Sequence, residues 1–194
     1  FQVYNVIASV SICIALGMDS NLIFKSLGYL KPARGRMEVV SETKNNALVI
    51  IDYAHSPDAL MSALKSIQEI TDRGRIITLF GCGGDRDKDK RQIMGKLANK
   101  YSDIVIVTDD NPRNETPSII RKEILIGCPN ATEIPNRDKA IKYAISNLQK
   151  NDLLLIAGKG HEKFQAIGVE TLPFDDYTVA KEAIKNIEKS EVIN

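Results

Sequence analysis

The chain has 194 residues, enough for one sizeable domain, or one domain with a further piece attached. Its 26 Lys and Arg nearly balance 25 Asp and Glu, which argues against the basic excess that a nucleic-acid or membrane-surface role requires. Two histidines exclude a His-rich metal site. Three cysteines without metal-type spacing (Cys13, Cys82 and Cys128) fit a reduced, cytoplasmic protein.

The chain starts at Phe1 rather than Met. Its apolar opening, Val3 to Leu16, is interrupted by Tyr4, Asn5, Ser9 and Ser11 and has no basic leader. It is therefore neither a signal peptide nor a membrane span, and it reads as a helix from a larger protein. Apolar residues at 3, 6, 7, 10 and 14 form a helical stripe, and Gly17 is placed to cap it. Ser20 is the expected cap of a second short helix ending near Gly28. Lys31-Pro32-Ala33-Arg34-Gly35-Arg36 then reads as a linker, with a domain boundary between 1–31 and 32–194.

Beyond the linker, strands and helices alternate. Ala47–Asp52 is an apolar strand, paired with the shorter Met37–Ser41. Ser56-Pro57 opens a helix whose inward face is Leu60, Ala63, Leu64, Ile67 and Ile70. Arg75–Phe80 is the next strand. A helix from about Asp89 turns Ile93, Met94, Leu97, Ala98 and Tyr101 inward. Ile104–Thr108 is a β-branched strand, followed by a helix opened by Thr116-Pro117. A short strand at Thr132–Ile134 precedes a helix capped by Asn136, with Ala140, Ile141, Ala144, Ile145 and Leu148 inward. Asp152–Ala157 is a buried strand, Phe164–Phe174 a hairpin, and 177–188 a final helix. This alternation predicts an α/β fold with a mostly parallel sheet covered on both faces.

In such sheets ligands bind beyond the carboxyl ends of the strands. Four polar or glycine-rich clusters fall there: Asp52-Tyr53-Ala54-His55, Gly81 to Lys88, Asp109 to Arg113, and Gly158 to Glu162. Each alone is a turn; together they predict a site. Asp110-Asn111-Pro112-Arg113 offers a carboxylate, an amide and a guanidinium, which suits a ligand carrying both an amine and a carboxylate. Gly81–Gly84 fits either a tight turn or an anion nest. It lacks the dinucleotide pattern, and Gly158-Lys159-Gly160 lacks the residues of a phosphate-binding loop. Asp87, Lys88, Asp89 and Lys90 read as a solvated helix start, with Arg86 the functional charge. His55 and His161 read as structural histidines, and Cys82 as a small buried filler. No general base and no metal ligand is assigned.

Gly35-Arg36-Met37-Glu38, Asp52 to Leu60, Phe80 to Lys88, Asp109 to Arg113 and Ala157 to Glu162 together resemble the Mur ligases. Within that family they are most similar to members adding the third amino acid of the peptidoglycan stem peptide. The resemblance covers essentially the whole chain. It implies a Rossmann-like C-terminal domain preceded by the last helices of the central ATPase domain, whose ATP loop and magnesium ligands lie upstream in relatives. It also implies a cytoplasmic monomer using ATP and Mg2+. The implied substrates are a UDP-N-acetylmuramoyl dipeptide, activated as an acyl phosphate, and meso-diaminopimelate. No nucleic acid or membrane insertion is involved, and the fragment alone is expected to be inactive. By resemblance, Arg36 and Asp52 contact ATP, and Asn5 lies near the nucleotide base. Arg86, Asp110, Asn111, Pro112, Arg113, Gly158 and Glu162 match the diaminopimelate site. Lysine-adding relatives typically lack the arginine at Arg113. The chain departs from the family pattern at Asp89 and Gln92, where glycine and proline are commoner. Two alternatives stay open: the same chemistry with lysine or a diaminopimelate-like thioether, and a non-catalytic amino-acid- or nucleotide-binding module. A redox Rossmann protein is disfavoured by the missing glycine fingerprint.

Overall fold

The computed structural model describes residues 2–43, 45–70 and 74–190. Two compact units emerge, Phe1–Ala33 and Arg34–Asn194, divided inside the Pro- and Gly-containing stretch.

The first unit is a helical pair, α1 (Gln2–Ala15) and α2 (Ser20–Leu27). Gly17 ends α1 in a left-handed conformation (φ 78°), donating its N–H to the Ile14 carbonyl. Val3, Ile7 and Ile14 of the apolar stripe are exposed. The start of α2 differs from expectation. Asp19, not Ser20, is the cap, its carboxylate accepting the Asn21 N–H at 2.9 Å. A carboxylate answers both the unpaired N–H groups and the positive end of the helix dipole.

The second unit is built on a six-stranded sheet. Its elements are β1 (Glu38–Glu42), β2 (Leu48–Asp52), α3 (Pro57–Gln68), β3 (Ile76–Phe80), α4 (Asp89–Tyr101), β4 (Ile104–Val107), α5 (Pro117–Leu125), β5 (Thr132–Glu133), α6 (Arg137–Ser146), β6 (Leu153–Ala157) and α7 (Asp176–Ser190). A separate hairpin, β7 (Phe164–Ile167) and β8 (Glu170–Pro173), lies between β6 and α7. The strand order is β1-β2-β6-β3-β4-β5, with only β1 antiparallel.

Strand side chains alternate between two cores. Ile50, Phe80, Val107 and Leu155 join α3, α4 and α5, while Ile51, Leu79, Ile106 and Ile156 join α6 and α7. The central strands are buried on both faces, which is why they read as unbroken apolar runs. Each such side chain contributes roughly 1.5–3 kcal/mol over leaving it exposed. Register aligns the strand ends: Asp52 pairs with Ala157, Leu79 with Ile156, and Phe80 with Val107. The loops after β2, β3, β4 and β6 therefore emerge on one edge.

Helix α4 is rotated from its predicted face. Arg91, Met94, Gly95 and Ala98 are buried, whereas Ile93 is 47% exposed. Close approach of α5 accounts for this, because a side chain at Gly95 would strike the Ile124 carbonyl. Ile70 lies beyond the end of α3 and is 37% exposed.

Candidate amino-acid-binding site

The four strand-end loops enclose a cleft of about 410 Å³. Arg86, Asp110, Asn111, Arg113, Gly158 and Glu162 all line it. Pro112 is buried beside it, its carbonyl accepting the Glu115 N–H at 3.1 Å. Asn5 lies on α1, in the first unit.

The two aspartates after β4 take opposite roles. Asp109 is tied to Arg121, which also holds Glu133 at 2.6 Å. Asp110 is 8% exposed, and its carboxylate has no hydrogen-bond partner among the described residues. Burial pushes its pKa up, with Arg137 and Lys159 opposing. A buried, unpartnered carboxylate facing a cleft is suited to a ligand cation. Gly158 (φ 114°) keeps it accessible, since a side chain there would lie 2.7 Å from Asp110 Oδ2.

Arg113 adopts a left-handed backbone (φ 51°), a conformation costing a non-glycine residue roughly 1–3 kcal/mol. The hairpin holds it there. Its N–H donates to the Ala166 carbonyl at 3.0 Å, and its carbonyl accepts the Gly168 N–H at 2.7 Å. Its Nη1 donates to the Gly84 carbonyl at 2.8 Å. Neither Arg113 nor Arg86 pairs with a carboxylate among the described residues, so both guanidiniums remain free for one. Arg113 is half-buried; Arg86 is exposed.

Asn111 is only 3% exposed and directs most of its amide to partners within the protein. Its Oδ1 accepts from Lys159 Nζ at 2.9 Å and the Ala166 N–H at 3.0 Å, and its Nδ2 donates to Glu162 Oε2 at 2.9 Å.

Two further arginines brace the site, and neither was singled out from sequence. Arg91 is fully buried. It donates to Glu115 at 2.9 and 3.0 Å, to Glu123 at 2.6 Å and to the Gly83 carbonyl at 3.3 Å. Glu115 in turn accepts the Asp85 N–H at 2.6 Å, so this pair joins the loops carrying Arg86 and Arg113. Arg137 forms a wholly buried bidentate pair with Asp176 and donates to the Ala157 carbonyl at 3.0 Å, immediately before Gly158.

The Arg91 hydrogen bonds hold the Glu115 carboxyl down at about 2. Its folded pKa lies below the ordinary value, so its stabilisation is complete above about pH 4.5 and is lost as pH falls towards 2. Wild type should therefore be more stable than Glu115→Gln at neutral pH, with the two unfolding midpoints converging on acidification from 4.5 to 2. Urea melts across that range measure this, and a gap that stays constant would contradict it.

Beside the cleft, Asp52 is 4% exposed and accepts the Met37 N–H at 2.8 Å. Burial raises its pKa, offset by the Met37 and Ala54 N–H groups and by Arg36. The Arg36 guanidinium stacks 4.8 Å from the Tyr53 ring centre. Tyr53 also packs on His55 and His161, whose rings lie 4.5 and 5.3 Å away. Gly35 (φ 67°) lets this turn touch the Gly160–His161 backbone, which any side chain would strike. Cys82 is buried, and burial pushes its thiol up to about 12, which makes it an inert filler. Among the described residues, no cluster of three or more His, Cys, Asp or Glu could hold a metal ion, and no helix is long and apolar enough to cross a membrane.

The family model described as "Mur ligase, glutamate ligase domain" matches residues 35–160, well over half of the chain. The chain belongs to the Mur ligase family. The matched span holds Arg36, Asp52, Arg86, Asp110 to Arg113 and Gly158, and stops just before Glu162. This Mur ligase chain is 48% identical over 192 residues to the UDP-N-acetylmuramoyl-L-alanyl-D-glutamate–2,6-diaminopimelate ligase of Agrobacterium fabrum, covering 99% of the chain and 39% of the relative. It is 48% identical over 188 residues to the protein of that name from Zymomonas mobilis, covering 95% and 38%. A solved structure of UDP-N-acetylmuramoyl-L-alanyl-D-glutamate–2,6-diaminopimelate ligase superimposes with a TM-score of 0.75 at 36% identity, covering 96% of the chain and 39% of the other. The UDP-N-acetylmuramate–alanine ligase of Thermotoga maritima shares the fold, with a TM-score of 0.72 at 20% identity over 97% of the chain and 38% of the other. The chain thus spans about two fifths of the length of the curated relatives it matches.

Proposed function

We propose that this chain is the amino-acid-selecting part of an ATP-dependent Mur ligase that joins meso-diaminopimelate to UDP-N-acetylmuramoyl-L-alanyl-D-glutamate. The observation that carries this reading is the pairing of charges in one cleft: two guanidiniums with no carboxylate partner among the described residues, Arg86 and Arg113, and two carboxylates, Asp110 and Glu162. Meso-diaminopimelate bears an ammonium and a carboxylate at each end. One amine must be delivered deprotonated to react, while the far end must be recognised. Arg86 and Arg113 suit its carboxylates, and Asp110 and Glu162 an ammonium. The names of the relatives at 48% identity support the same assignment.

In this reading ATP phosphorylates the glutamate carboxylate of the nucleotide dipeptide, releasing ADP. The diaminopimelate amine then attacks the acyl phosphate, losing a proton and expelling phosphate. Arg36 would hold a nucleotide phosphate, and Asp52 a ribose hydroxyl. Magnesium would neutralise phosphate charge, held by residues other than those of this cleft. The setting is cytoplasmic, and the protein a monomer.

Phosphate release by the ligase containing this chain, assayed with meso-diaminopimelate, L-lysine and a diaminopimelate-like thioether, tests the reading. Meso-diaminopimelate should be used best. Equal or better use of lysine would move the assignment to a lysine-adding ligase.

A further inference from the structure

We propose that Lys159 is a positioning residue for the ammonium-binding end of the cleft, acting through Glu162 and Asn111. This inference rests on reading the cleft as an amino-acid site with Glu162 as an ammonium acceptor.

Lys159 has no exposed surface. Its Nζ lies 2.9 Å from Asn111 Oδ1 and 3.1 Å from Glu162 Oε2, and 5.6 Å from the centre of the Phe164 ring. An ammonium has three N–H donors and no acceptor, so two oxygens and a ring face account for it. Sealed from solvent, it cannot itself touch a ligand. Whatever it does for the site passes through its partners.

Those partners are unusually constrained. Glu162 Oε2 receives two donors, Lys159 Nζ and Asn111 Nδ2, while Oε1 has no partner among the described residues. Fixing one oxygen from two directions fixes the carboxylate plane, and leaves the other oxygen available. Asn111 is held the same way, its Oδ1 shared by Lys159 and the Ala166 N–H. Lys159 also offsets charge. Asp110 feels attraction from Lys159 and Arg137 and repulsion from Glu162, and Arg137 is already committed to Asp176. The loop is shaped to send this side chain inward. Both flanking glycines are left-handed (Gly158 φ 114°, Gly160 φ 53°), and a side chain at Gly160 would strike Tyr53.

The test is a double-mutant cycle between Lys159 and Glu162 in the ligase containing this chain. Lys159→Met should raise KM for meso-diaminopimelate roughly 10- to 100-fold, the loss expected of a charge-assisted hydrogen bond. KM for ATP and for the nucleotide dipeptide should stay within about twofold. In a Glu162→Gln background the same substitution should raise KM for meso-diaminopimelate by a clearly smaller factor, less than about 10-fold, because only the contact with Asn111 and the charge felt by Asp110 are left to lose. Lys159→Gln, which keeps a donor for Asn111 but no charge, provides the same cycle if the methionine variant does not fold. Multiplicative effects of the two substitutions, or an equal rise in all three KM values, would overturn the inference. So would a wild-type KM in either Lys159 variant. A wild-type ligase that does not use meso-diaminopimelate sinks the proposed function instead, before the cycle is reached.

Discussion

Replacing Arg113 with alanine in the ligase should cut kcat/KM for meso-diaminopimelate at least 30-fold, by the affinity arithmetic of about 2 kcal/mol. Truncating one side of a hydrogen-bonded charge pair costs about 2–5 kcal/mol, and the half-buried setting of Arg113 places it towards the lower end. Lysine has no carboxylate at its far end. Its use should fall far less, or rise, because the unpaired guanidinium that opposes it has gone. Preorganisation makes the effect specific to this arginine. The strained backbone of Arg113 is pinned to the hairpin by Ala166 and Gly168, and its Nη1 is steered by the Gly84 carbonyl. Initial rates with both amino acids measure the difference. Equal losses for the two would remove Arg113 from the specificity argument.

The second large effect falls on stability. Arg137→Met strands the Asp176 carboxylate in a fully buried position, where breaking one side of an ion pair costs about 3–5 kcal/mol. That is a large share of the roughly 5–15 kcal/mol that holds a domain folded. With a urea dependence of about 1–3 kcal/mol per molar, the midpoint should drop by roughly 2 M. The double variant Arg137→Met/Asp176→Leu should recover much of this loss, because an apolar replacement leaves no charge stranded. A midpoint within about 0.5 M of wild type for Arg137→Met would contradict the assignment, given that same urea dependence.

The contrast between these arginines marks what could be read from sequence. The central strands announced themselves as unbroken apolar runs, because sheets buried on both faces leave no polar alternation to obscure them. Their ends followed, and with them Arg86, Asp110, Arg113 and Glu162 around one cleft. The buried cations did not. Arg91, Arg121, Arg137 and Lys159 lie in charged or glycine-rich stretches where exposure is the usual outcome. The arginines' acidic partners, such as Glu115 for Arg91 and Asp176 for Arg137, are distant in sequence, whereas Lys159 meets Glu162 three residues on. For Arg91 a signal existed, since Arg91, Met94, Gly95 and Ala98 keep helical spacing. The apolar Ile93 and Leu97 drew the predicted face away from it. Asn111 shows another limit. An amide after a strand looks like a ligand contact, and only the fold reveals that Lys159, Ala166 and Glu162 take its Oδ1 and one of its two Nδ2 hydrogens. The cap of α2 moved by one residue because neighbouring Asp19 and Ser20 both fit the pattern, and the carboxylate took the Asn21 N–H.

The proposed function places meso-diaminopimelate in the cleft at the carboxyl ends of β2, β3, β4 and β6. Titration of the 15N-labelled protein with that amino acid tests it most directly. Backbone amide shifts should move at Gly81–Arg86, at Asp110, Asn111 and Arg113, and at Gly158–Glu162. Those at the opposite sheet edge, Asn99–Asp103, should stay fixed, and L-lysine should bind more weakly. Shifts confined to other surfaces, or lysine binding as tightly as meso-diaminopimelate, would contradict the account.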